Sequence, residues 1–158
     1  QDAIGICMPG LVRHYYDGHY WPSRFETCLD GGVLDWLEEH LCMIPMFPRR
    51  PGCSVVEGSE IDRPRVEALA RAADECWAAI MEKDIDAFAG AYMASFNAQV
   101  AMFPAMIQPG VQEYIDRYSA MEGVLACKMP GAGGGGYLAL VCRDRFPEDA
   151  IRLSIRRK

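Results

Sequence analysis

Apolar and polar positions change their spacing several times along the chain, and each change predicts a different element. From Leu11 to Glu26, aromatic and β-branched residues flank Asp17-Gly18. Such a pair suits the left-handed positions of a type I′ turn, so the pattern predicts a hairpin of Leu11 to Tyr16 against His19 to Glu26. A two-residue turn would place Tyr16 opposite His19, Tyr15 opposite Tyr20 and His14 opposite Trp21. Pro22 marks the second strand as an edge or a bulge. Asp30 then caps a short helix over 31–40, with Val33, Leu34, Leu37 and Leu41 on one face. Leu41 to Phe47 is strand-like and stops at Pro48, where prolines and a glycine impose a loop.

Period 3.6 takes over beyond this loop. Asp62 with Pro64 opens a long helix whose apolar stripe holds Val66, Leu69, Ala73, Cys76, Trp77 and Ile80. Asp84 caps a second, with Ile85, Phe88, Tyr92, Phe96, Val100 and Phe103 facing inward, and Pro109 opens a third carrying Val111, Tyr114, Ile115 and Tyr118. Strand patterns return at 124–129, 137–143 and 151–156, the last alternating Ile151, Leu153 and Ile155 with Arg152, Ser154 and Arg156. Strands, then helices, then closely linked strands predict an α+β fold, an antiparallel sheet with amphipathic helices on one side, in a single domain over 1–158.

Composition narrows the classes. At 158 residues and 51% hydrophobic the chain can bury a sizeable core. A net charge of −6 argues against a general nucleic-acid binder. No apolar run reaches the ~18 residues of a membrane span. Seven dispersed cysteines without a C-x-x-C pair predict reduced thiols and a cytoplasmic protein. The chain starts at Gln1 with no initiator Met and no signal-like stretch, which suggests a piece of something longer.

Packing alone does not explain the run Gly131-Ala132-Gly133-Gly134-Gly135-Gly136. Holding five glycines in order costs about 0.5–1 kcal/mol each relative to alanine, so the backbone there adopts unusual dihedrals or admits a close neighbour. The run contains G-x-G-x-x-G, but a strand-like stretch follows where a dinucleotide site needs a helix. No Walker A pattern exists in the chain. A flexible hairpin loop is one remaining reading. The other is a rigid wall for an anion beside Lys128.

Lys128-Met129-Pro130 followed by this run resembles the third conserved motif of the GHMP kinases (galactokinase, homoserine kinase, mevalonate kinase and phosphomevalonate kinase). It is most similar to the sugar-kinase branch that includes fucokinase and heptose-phosphate kinase. The resemblance implies a ferredoxin-like C-terminal domain, with the N-terminal nucleotide-binding domain absent and holding ATP and Mg²⁺. It implies a sugar or sugar phosphate as acceptor. Lys128, Gly131, Ala132, Gly133, Gly134, Gly135 and Gly136 would then line the substrate. Gln1-Asp2 resembles the end of a G-x-x-D-Q segment, with Ala3 in place of the Gln, and the resemblance implies Asp2 as the catalytic base. The fragment by itself is expected to be inactive, and Gly134→Val is expected to spare folding while stopping turnover.

Other groups have plainer readings. His14, His19 and His40 lack metal-ligand spacing, and no metal site is expected. Arg49-Arg50 reads as a solvated loop pair or a phosphate contact, and Asn97 and Gln99 as backbone partners or sugar contacts. Tyr15, Tyr16, Tyr20 and Trp21 pack in the sheet or stack on a sugar. The rival to the kinase reading is a stand-alone ferredoxin-like module that binds a ligand or partner without catalysis. An apolar surface patch would favour the kinase domain, and a fully polar surface the module.

Overall fold

A computed structural model describes residues 2–49, 56 and 58–158. It is an α+β structure with two antiparallel sheets. Helix α1 (Asp2–Cys7) leads into strands β1 (Leu11–Tyr15) and β2 (Arg24–Cys28), which form the smaller sheet. Helix α2 (Gly31–His40) and strand β3 (Leu41–Pro45) follow. Helices α3 (Arg63–Glu82), α4 (Ile85–Met102) and α5 (Pro109–Ser119) come next, with a short 3-10 turn at Pro104–Met106. Strands β4 (Val124–Lys128), β5 (Tyr137–Cys142) and β6 (Ile151–Arg152) close the chain.

The expected caps are in place. The Asp30 carboxylate accepts from the Val33 N–H at 2.9 Å, Asp62 from that of Arg65 at 2.9 Å, and Asp84 from those of Asp86 and Ala87. Each satisfies donors that the first helical turn leaves without an intrahelical partner. Lys83, at φ 57, ends α3 in the left-handed region, and its N–H closes on Ile80.

The larger sheet runs β4-β5-β3-β6, every neighbouring pair antiparallel. Counting its strands in chain order, this is second, third, first, fourth. The connection from first to second carries α3, α4 and α5, whereas the one from third to fourth (143–150) carries no helix. A bulge between Val124 and Ala126 shifts the register of β4 against β5.

The expected hairpin forms with a different register. Tyr15 pairs with Arg24 and Leu11 with Cys28, so residues 16–23 make a long loop and Asp17-Gly18 is not a two-residue turn. Pro22 cannot donate to a ladder, and β2 starts just beyond it. The last strand is also shorter than its alternation suggests: only Ile151 and Arg152 pair, with Met43 and Cys42.

Helices on one side only is the expectation that the core corrects. Leu138, Leu140 and Cys142 of β5 join Phe96, Met106, Val111 and Tyr118 in one apolar cluster. Val141 joins Val33, Leu37, Ala79, Ile80 and Phe88 in another. Successive residues of a strand point to opposite faces, so apolar side chains cover β5 on both. Its uniformly apolar sequence fits a doubly buried strand. At the edge of the sheet, the Cys127 N–H donates to the Met93 thioether of α4 at 3.4 Å, which shields strand β4.

Candidate functional site

The glycine run joins β4 to β5 and is packed, not floppy. Gly131, Gly133, Gly134, Gly135 and Gly136 all have positive φ, between 69° and 137°. Residues with a Cβ rarely occupy that region, which accounts for the composition of the loop. The Gly134 N–H donates to the Met106 carbonyl at 3.0 Å and the Gly136 N–H to that of Phe47 at 2.9 Å. The Met46 N–H in turn donates to the Gly136 carbonyl at 2.8 Å. A Cβ on Gly133 would lie 2.8 Å from the Met106 Cβ, and one on Gly135 would lie 2.8 Å from the Phe47 carbonyl oxygen. The close neighbour that the glycines admit is therefore the protein's own chain. Gly133, Gly134 and Gly135 are buried, Ala132 and Gly136 half-buried, and Gly131 exposed.

Two side chains hold the loop from either flank. The Arg49 Nε donates to the Gly133 carbonyl at 2.9 Å, and the Gln99 Nε2 to that of Gly131 at 2.9 Å. Gln99 is one of the two polar residues the helical pattern singled out, and its role is to satisfy a backbone carbonyl. The other, Asn97, is exposed.

Lys128 ends β4 with its ammonium on the Ser95 hydroxyl, near the face of Tyr92. Burial lowers its pKa, with the Cys76 thiol opposing that shift. Among the described residues no carboxylate lies within 4 Å of it. Ser95 and Gln99 stand four residues apart on α4, one helical turn, so the same stripe of α4 receives Lys128 and Gly131. Nothing in the local sequence singles out Ser95, which follows from its spacing to Gln99 only once α4 is seen to flank β4.

The remaining candidates separate. Asp2 opens α1, but its side chain lies outside the described residues, as does Arg50. His40 meets the Cys142 carbonyl through Nδ1 at 2.9 Å, and His14 stands edge-on to Phe25. Among the described residues no group of three His, Cys, Asp or Glu side chains could hold a metal ion. A shallow cleft of about 280 Å³ opens beside Phe47, lined by Pro109, Gly110, Glu113 and Tyr114. Around the hairpin loop, Tyr20 and Trp21 pack edge to face at 5.3 Å while 86% and 68% exposed. No described helix is long and apolar enough to cross a membrane. The chain matches no model of a known protein family and no curated protein sequence.

Proposed function

We propose that this chain is the acceptor-side domain of an ATP-dependent kinase of the GHMP type, transferring a phosphoryl group to a hydroxyl of a sugar or sugar phosphate. One observation carries the reading: Lys128 and the glycine run that resemble the family's third motif stand at a strand–loop–strand junction, tied to adjacent turns of α4. The strand order, second, third, first, fourth with all neighbours antiparallel, also supports a ferredoxin-like arrangement. The helix-free connection over 143–150 departs from it.

Phosphoryl transfer asks the protein mainly to position groups and offset charge. In this reading Lys128 supplies positive charge at the start of the loop, and Asp2 orients the acceptor hydroxyl and takes its proton. Lysine, arginine and main-chain amides suit phosphoryl oxygens, not a hard divalent cation, which takes carboxylates and carbonyls. The family resemblance assigns ATP and Mg²⁺ mainly to the N-terminal domain of the kinase.

The test is ADP release over a panel of sugars and sugar phosphates, using the protein that carries this chain behind a P-x-G-x-G-x-S-S segment. Acceptor-dependent release that disappears in Lys128→Met is expected, with none from the 158-residue chain alone. Coding sequence without that segment, or full turnover in Lys128→Met, overturns the reading.

A further inference from the structure

Arg49 was reached from sequence only as half of a basic pair, yet the fold delivers it to the middle of the glycine run. Its Nε is occupied by the Gly133 carbonyl. Arginine has five N–H donors in a rigid fork, so four remain on the two terminal nitrogens. Among the described residues no carboxylate comes within 4 Å of the guanidinium, although the chain holds 22 acidic residues. Just before it, the paired hydrogen bonds between 46–47 and Gly136 run the chain beside the loop. Lys128, also without a carboxylate, stands on the α4 flank.

This charge pattern bears on the acceptor. Sugar hydroxyls are met well by carboxylates, which accept, and by side-chain amides, which accept and donate. The side chains at the loop are instead the cation Arg49 and Gln99, whose Nε2 is already on Gly131, with the ammonium of Lys128 on Ser95 beside them. Forked donors with spare capacity and no counter-charge among the described residues match a phosphate monoester, which accepts two parallel hydrogen bonds from one guanidinium. In the kinase reading Lys128 serves the transferred phosphoryl group, which leaves the Arg49 fork for a second one. We propose that Arg49 is a specificity-determining residue that binds the phosphate already present on the acceptor, so that the substrate is a sugar phosphate and not a free sugar. The assignment rests on the kinase reading for its place in a reaction, though not for the binding itself.

Titration calorimetry on the 158-residue chain tests it with glucose 6-phosphate, inorganic phosphate, glucose and ATP as probes. The wild type is expected to bind the two phosphates and not glucose. Arg49→Gln should bind them about 10- to 100-fold more weakly, the loss for hydrogen bonds to a charged group. Arg49→Lys should fall between, since an ammonium cannot grip Gly133 and a phosphate as a fork does. Unchanged far-UV circular dichroism and melting temperature in either variant exclude unfolding as the cause. Equal phosphate binding by wild type and both variants, or none by the wild type, overturns the proposal. So does a loss confined to ATP, which would assign Arg49 to the nucleotide. Phosphate binding that depends on Arg49, without ADP release from any acceptor by the longer protein, removes the kinase reading and leaves the site. Acceptor-dependent ADP release with the same KM for sugar phosphates in wild type and Arg49→Gln does the reverse.

Discussion

Gly134 donates its N–H to the carbonyl of Met106 at 3.0 Å, and this bond ties the glycine run to the turn that follows α4. Glycine is needed here for two separable reasons, dihedral angle and space. Gly131 and Gly133 have nearly the same φ, 69° and 76°, but a Cβ on the first meets nothing within 4 Å while one on the second strikes Met106. Gly131→Ala should therefore cost only the left-handed strain, about 1–2 kcal/mol. Gly133→Ala should cost about 1–3 kcal/mol more from overpacking. Urea denaturation of the two variants measures the difference, and equal losses would show that space plays no part. Gly134→Val is a poorer probe than its sequence suggests. That residue is buried at φ 75°, so a β-branched side chain threatens folding as well as any activity.

Lys128 is expected to be held at a cost. Burial depresses its pKa in the folded state, so the unfolded chain binds the proton more tightly. Between the lowered folded value and the ordinary value of 10.5, stability from this group rises with pH; below both, the charged side chain is a constant burden. Lys128→Met should be at least as stable as the wild type at pH 7, and its advantage should shrink as pH approaches 10.5. Denaturation curves of both proteins at pH 7 and pH 10 check this, since other titrations cancel in the difference. A widening advantage at high pH would mean that the ammonium is better placed in the fold than in water.

The parts of this architecture readable from sequence are those set by local chemistry. Asp30, Asp62 and Asp84 announce their helices because a carboxylate at the N-cap needs only the next three residues. The hairpin misled because Asp-Gly permits a tight turn without requiring one, and the Tyr15–Arg24 register depends on where β2 begins after Pro22. Helix α1 escaped notice because a six-residue helix carries almost no periodic signal. At the candidate site, Lys128 and the glycines are a contiguous string, so their neighbourhood is visible in one dimension. Arg49 and Ser95 lie 84 and 33 residues from the groups they touch, and only the fold joins them.

Tyr118 gives the test of the sheet's other flank. It is 1% exposed, stacks near Tyr114, and donates its hydroxyl to Asp149. Burial first, and then this hydrogen bond, push its phenol up to about 12. Tyr118→Phe should lose about 1–2 kcal/mol, because the partner carboxylate loses its donor. Chemical denaturation reads the loss. An unchanged midpoint would mean that water replaces the hydroxyl at no cost.

The segment after β6 is held by Glu38 and Asp35 on Arg157 and by the Gly10 N–H on the Arg156 carbonyl, with Glu38 alone also taking the Ile155 N–H. Glu38 accepts from Arg157 at 2.6 Å and from the Ile155 N–H, and these bonds, the Arg157 one foremost, lower its pKa. A depressed carboxyl contributes stability above its unfolded value of 4.5 that is lost as pH falls through the folded value. Glu38→Gln should flatten that acid limb and speed amide exchange at Ile155 already at pH 7. Hydrogen exchange by NMR across a pH series follows both effects. Wild-type exchange rates in the variant would show that the Glu38 carboxylate is not needed to hold the segment, which Asp35 on Arg157 and Gly10 on Arg156 also tie down.

Thiol reactivity should sort the cysteines by burial and not by order in the chain. Cys42, Cys127 and Cys142 are at most 1% exposed, whereas Cys7 is exposed. The Cys42 thiol is pushed up by its hydrogen bond to Cys142 and by burial, and burial raises Cys76 to about 11. Thiolate is the nucleophile, so burial denies access to Cys42, Cys127 and Cys142, and the raised pKa of Cys42, Cys127 and Cys76 disfavours attack further. Native alkylation followed by peptide mapping should therefore modify Cys7 within minutes. Cys42, Cys127 and Cys142 should react only as fast as the protein opens, accelerating steeply near the urea midpoint. Because these three lie against both β3–β5 and β4–β5 pairings, their labelling rates should coincide if the larger sheet opens as one unit. Faster labelling of Cys127 alone would instead place the weakest seam at the β4 edge, where the Met93 sulfur is the strand's backbone partner.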